Sequence, residues 1–145
     1  MYKKILVSVD FTNESQEILM KAADLAKIHQ AELNLIHVNV NLSALYSGLI
    51  QVNFEKIQNI INEEQEKFFK ELKQKVNYPV NECILGMGDL SEVISQAIKE
   101  YEIDLLIIGH HNDFLGKFFS SAKTLLNHIN IDTLVFPLKG NKKSS

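Results

Sequence analysis

Few groupings in this chain of 145 residues combine the residue types and spacing that chemistry needs, and each has a plain structural alternative. Asp10 closes the apolar run Lys4-Ile5-Leu6-Val7-Ser8-Val9. A carboxylate there could meet a ligand hydroxyl or a metal, or cap the turn before a helix. Gly86-x-Gly88 precedes a helix start, where backbone amides can meet an anion, but two glycines also make a tight turn. His110-His111, Asp113 and His128 are metal-capable, yet neighbours in an extended segment diverge and the spacing fits no established ligand set. No metal and no cofactor are expected. Ser120-Ser121 lies near a helix start, where hydroxyls cap amides, and no Gly-x-Ser-x-Gly elbow surrounds it, so no catalytic nucleophile is expected. His37, inside a strand, is read as a near-core residue with a hydrogen-bond partner, and the lone Cys83 as a small packing residue.

The elements that must position these groups follow from composition and periodicity. The length suits one domain with a real core, and 46% hydrophobic with 23% charged residues is the balance of a soluble globular protein. No apolar stretch approaches a membrane span, and the N-terminal apolar run is too short for a signal peptide, so a cytoplasmic protein is expected. A net charge of −3 gives no general attraction for nucleic acid or anionic membrane. The domain is expected over residues 1–139, with 140–145 a loose tail.

Along the chain, β-rich runs alternate with helical patterns. Strands are predicted at Lys4 to Asp10, Ala31 to Val40, Val80 to Leu85, Ile103 to Gly109 and Thr133 to Leu138. Between them, Ile18, Leu19, Ala22, Leu25 and Ala26 mark one amphipathic helix, and Phe54, Ile57, Ile61, Phe68 and Leu72 a long second one. Glu63/Lys67, Glu66/Lys70 and Glu71/Lys75 are placed as i,i+4 pairs on its solvated face. Asp89-Leu90-Ser91-Glu92 has capping-box spacing and opens a third helix. Phe118, Phe119, Ala122, Leu125, Leu126 and Ile129 suggest a last one. Loops are expected at Asn41 to Gln51 and at His110 to Lys117, and Gly86-Met87-Gly88 is expected to turn the chain.

Strands joined by helical crossovers are parallel, and right-handed crossovers make a doubly wound three-layer α/β sandwich the economical topology. Ligands in such sheets sit beyond the carboxyl ends of the strands, where the winding reverses. The candidate cleft is therefore Asp10, Val38, Gly109, His110, Asn112, Ser120 and Ser121. A phosphorelay receiver is disfavoured, because strand three ends Cys83-Ile84-Leu85-Gly86 with no acceptor aspartate.

Lys4 to Asp10, Leu35-Ile36-His37-Val38 and Asp104-Leu105-Leu106-Ile107-Ile108-Gly109 resemble the universal stress protein family over nearly the whole chain. Leu45-Tyr46-Ser47-Gly48-Leu49-Ile50, Gly88-Asp89-Leu90 and Gly109-His110-His111-Asn112-Asp113-Phe114 add to the likeness. The resemblance implies a five-stranded parallel sheet of order 3-2-1-4-5, of the Rossmann-like adenine nucleotide α-hydrolase type. It also implies a cytoplasmic homodimer and a role in survival under starvation, oxidants or DNA damage. ATP-binding members carry Gly-x2-Gly-x9-Gly-[Ser/Thr] after strand four; laid from Gly109, this asks for glycine at Asn112 and Ala122 and for Ser or Thr at Lys123. Only Gly109 agrees, and side chains at the other positions restrict the close backbone approach to phosphate. The resemblance thus implies a non-enzymatic, ATP-independent member, the competing reading being an ATP-binding protein with slow hydrolysis or autophosphorylation. In that strand order the last strand is an edge, and Thr133, Leu134, Val135, Phe136, Pro137 and Leu138 are expected to pair with a second copy of the chain.

Overall fold

The structure is a computed structural model, and it describes residues 1–10, 14–39, 54–111 and 124–138. Eight elements are bounded within these: β1 (Lys4–Ser8), α1 (Glu14–His29), β2 (Glu32–Asn39), α2 (Phe54–Lys75), β3 (Cys83–Met87), α3 (Leu90–Glu100), β4 (Leu105–His111) and β5 (Asp132–Leu138). Residues 124–128 are also helical. The five strands form one parallel sheet in the order β3-β2-β1-β4-β5, as the resemblance implies. β1 lies in the centre, paired through Ile5↔Leu33 with β2 and through Ile5↔Leu105 with β4.

A central parallel strand is covered on both faces, and β1 shows it: Ile5, Leu6 and Val7 are all fully buried. Ile5 and Val7 join a core with Ile18, Leu19, Ala22 and Ala26 of α1 and with Phe69 and Leu72 of α2. Leu6 joins a second core with Ile94, Ala97 and Ile98 of α3 and with Leu125. Two cores on opposite faces of one sheet make the three-layer sandwich. Each large aliphatic side chain buried in them contributes roughly 1.5–3 kcal/mol relative to exposure.

The centre of the sheet also holds a polar side chain. Asn34, 1% exposed, donates through Nδ2 to the Ile5 carbonyl (3.2 Å) and accepts at Oδ1 from the Glu82 amide (3.1 Å). It therefore ties β1 to the segment entering β3. At the opposite side of the sheet Asp104 accepts from the Lys3 and Lys4 amides at 2.8 and 2.9 Å, fixing where β1 starts beside β4.

Several expectations need correction. β3 runs from Cys83 to Met87, not from Val80 to Leu85, so Gly86 and Met87 belong to the strand and only Gly88 turns, with φ +126°. The reason is packing: a Cβ on Gly86 would stand 2.4 Å from Val93 Cγ1, so glycine lets α3 approach the strand. β4 extends to His111, and His110 and His111 pair with Pro137 and Leu138 instead of opening a loop. In α2 the buried residues are Phe69 and Leu72, whereas Ile57 is 39% exposed. None of the three Glu/Lys pairs expected on α2 closes to within 4.0 Å. The i,i+4 ion pair formed among the described residues is Glu17–Lys21 of α1, at 3.8 Å. The predicted cap does form, with Asp89 accepting from the Glu92 amide at 3.1 Å. The expected loops at Asn41 to Gln51 and beyond His111, and Phe118, Phe119 and Ala122, lie outside the described residues.

Candidate functional site at the carboxyl edge of the sheet

The winding reverses between β1 and β4, so a ligand site of the expected kind would lie beyond their carboxyl ends. Carried past Ser8, the register sets Val9 level with Gly109, and Asp10 level with Val38 on one side and His110 on the other. Three of the seven predicted cleft residues, Asp10, Val38 and His110, thus fall in one row, with Gly109 one position before it. Asn112, Ser120 and Ser121 lie outside the described residues.

The polar groups of this edge engage one another. Ser15, fully buried in the first turn of α1, donates through Oγ to the Asp10 carbonyl and lies 3.1 Å from Asp10 Oδ1. Asp10 therefore serves the strand-to-helix turn, with its exposed carboxylate at the rim. Next to it, His37 Nδ1 donates to the Val9 carbonyl (2.8 Å), and Nε2 stands 3.1 Å from Asn39 Oδ1. Asn39 and Gln65 then exchange two amide hydrogen bonds, Asn39 Nδ2 to Gln65 Oε1 at 2.8 Å and Gln65 Nε2 to Asn39 Oδ1 at 2.7 Å. This chain of bonds runs from the end of β1 through β2 to α2. His37 is half-buried and hydrogen-bonded, as expected of it. Ser15, Asn39 and Gln65 were not singled out by the sequence reading. A helical serine five residues after a strand-ending aspartate was the available signal for Ser15; the Asn39–Gln65 pair bridges two distant segments and has none.

Among the described residues no three His, Cys, Asp or Glu side chains are grouped to hold a metal ion. His110 and His111 are consecutive positions at the end of β4, in register with Pro137 and Leu138. His128 Nδ1 lies 2.8 Å from the Thr124 carbonyl of its own helical turn.

Cys83 opens β3 on the floor of a groove of about 410 Å³ lined by Glu66, Phe69, Lys70, Lys73 and Leu85. Burial pushes its thiol pKa up; the Lys73 charge opposes that, and Glu82 reinforces it. This is the electrostatic setting of a packing thiol.

β5 is an edge strand of the sheet, paired on one side with β4. Leu134 and Phe136 pack on the α1 face of the sheet, where Lys21 Nζ sits 4.9 Å from the Phe136 ring centroid. Thr133 is part-buried, Val135 is 37% exposed, and Pro137 is exposed.

A doubly wound sheet of order 3-2-1-4-5 with a polar carboxyl edge defines a Rossmann-like α/β protein. Comparison with known proteins narrows this. The profile of the Universal stress protein family matches residues 1–137. The "Universal stress protein A homolog" of Haemophilus influenzae is 49% identical over 139 residues, 96% of this chain and 99% of that one. A universal stress family protein from Burkholderia pseudomallei superposes with a TM-score of 0.74 at 20% identity, covering 94% of this chain and 97% of its own. One from Archaeoglobus fulgidus, solved in complex with dAMP, has a TM-score of 0.63 at 18% identity, covering 92% and 97%. This chain belongs to the universal stress protein family. No described helix is long and apolar enough to cross a membrane.

Proposed function

We propose that this protein is a non-enzymatic stress-response protein of the cytoplasm that acts as a homodimer, through partners or as a phosphorylation target, without using ATP. Its role is survival under starvation, oxidants or DNA damage. The observation that carries this reading is the engagement of the carboxyl-edge groups with each other. Asp10 holds the turn into α1, and His37, Asn39 and Gln65 hold β1, β2 and α2 together, which are architectural tasks. The sequence beyond β4 supports the same reading, with Asn112, Ala122 and Lys123 where phosphate-gripping members carry Gly, Gly and Ser or Thr. The 49% identical relative, named a homolog of universal stress protein A, supports the stress role. The uncharged edge from Thr133 to Leu138 supports self-pairing.

One observation favours the second reading, an ATP-binding protein with slow hydrolysis or autophosphorylation. Gly109 is retained at the carboxyl end of β4, level with Val9, where this fold presents ligands. Calorimetric titration with ATP and Mg²⁺ separates the two: absence of heat supports the first reading, and saturable binding supports the second.

A further inference from the structure

On its other side the sheet ends at β3, which pairs with β2 and with no further strand among the described residues. Two hydrogen bonds fix which way its backbone faces. The Leu35 amide donates to the Glu82 carbonyl at 2.8 Å, and the Gly88 amide donates to the Asn39 carbonyl at 2.9 Å. In a parallel pair alternate residues direct both N–H and C=O toward a given neighbour, so Ile84 and Gly86 face β2 as Glu82 and Gly88 do. Cys83, Leu85 and Met87 therefore turn their amides and carbonyls to the open edge. The strand contains no proline and no charged residue, the usual guards of an exposed edge.

Beside that edge lies the groove between β3 and α2. Cys83 and Leu85 turn their side chains to the α2 face and Ile84 to the α3 face. Phe69 and Leu85 give the groove its apolar lining, and Glu66, Lys70 and Lys73 stand exposed along it. The helix runs antiparallel to the strand: Lys73 acts on the Cys83 thiol, whereas Gln65 bonds Asn39, the register partner of Met87. The groove is thus basic beside Cys83 and acidic only toward Met87. Glu82, which also acts on Cys83, is felt by Tyr101 on the α3 side of the sheet.

We infer that this edge docks an extended peptide segment of a partner protein, which joins β3 as a further strand and sets an acidic side chain beside Lys70 and Lys73. It rests on the proposed action through partners and gives that action a surface. Bonds to the backbone of Cys83, Leu85 and Met87 hold any extended chain, while the groove reads every second side chain and so selects among them. Charge decides the occupant, because two lysines face the docked strand where it passes Cys83 and the one carboxylate of the groove lies at the far end. Alternate residues of a strand lie on one face about 6–7 Å apart, so an aliphatic residue two positions from the acid falls over Leu85 and Phe69.

The probe is an end-blocked heptapeptide with threonine at odd positions, valine at two and six and glutamate at four, which fits the edge in either direction. It is titrated into the full chain and followed by fluorescence anisotropy of the labelled peptide and by amide hydrogen exchange. Saturable binding is expected, with slowed exchange at the Cys83, Leu85 and Met87 amides and little change at Ile84 and Gly86, which already face β2. Lysine in place of the glutamate is expected to weaken binding roughly five- to tenfold. A Lys70→Glu, Lys73→Glu double variant, altered only at exposed positions, is expected to fold and to reverse that preference. No saturable binding up to millimolar peptide, or slowed exchange confined to other amides, overturns the site. Equal binding of the two peptides to the wild-type chain overturns the part given to the lysines, whatever the variant does. Saturable ATP binding, which would overturn the reading above, moves none of these outcomes.

Discussion

Gly86 of β3 and Val93 of α3 stand so close that a methyl group on the glycine would meet Val93 Cγ1 at 2.4 Å. The helix rests on the strand where a side chain is missing. Gly86→Ala is therefore expected to destabilise the protein by about 1–3 kcal/mol, the usual cost of overpacking. Val93 is β-branched and has one strongly preferred rotamer in a helix, so it yields little. Trimming it should recover part of the loss. Denaturant unfolding of Gly86→Ala, Val93→Ala and the double variant checks this; additive effects would mean that the two residues do not meet.

Asn34 gives a second expectation. Replacing it with Leu removes the donor to the Ile5 carbonyl and the acceptor for the Glu82 amide, and each buried group left unpaired costs about 1–3 kcal/mol. The loss should be concentrated where β3 enters the sheet. Hydrogen exchange would show it as lost protection at the Glu82 amide beyond the general fall in stability, while protection of Val7 in β1 falls only with global stability. A uniform change would assign Asn34 no part in registering β3.

Cys83 sets a pH expectation. Its thiol pKa is raised in the folded chain, chiefly by burial, so the protonated form is favoured by folding. The stabilisation is fully present below the ordinary thiol pKa and is lost as pH climbs through the raised value. Alkylation of the native protein should accordingly lag behind that of the unfolded chain at pH 8, and Lys73→Ala should slow it further by removing the charge that favours the thiolate. Measured iodoacetamide rates decide this. Equal rates for native and unfolded protein, or faster reaction of Lys73→Ala, would contradict it.

What could be read in the sequence follows from the range of each signal. The unbroken run Leu105-Leu106-Ile107-Ile108 marked a strand buried on both faces, and the Asp89 to Glu92 spacing marked a helix start, because both signals are local. Gly86 misled for the converse reason. Glycine marks turns and close approaches alike, and only Val93, on the next element, distinguishes them. Ile57 and Leu72 both belong to the apolar stripe read for this helix, but Leu72 is buried and Ile57 exposed, since the sheet underlies only part of so long a helix. At the carboxyl edge, the nearness of Asp10, Val38, Gly109 and His110 to one another follows from topology alone, whereas the Asn39–Gln65 amide pair depends on where α2 lies against β2.

The central claim is that a universal stress protein with this carboxyl edge works without ATP, and calorimetry of the purified chain with ATP and Mg²⁺ tests it most directly. The account predicts no saturable heat up to millimolar nucleotide. A saturable isotherm that vanishes on substitution of Gly109 by Val would contradict it, and would mean that the edge formed by Asp10, Val38 and Gly109 is a nucleotide site after all.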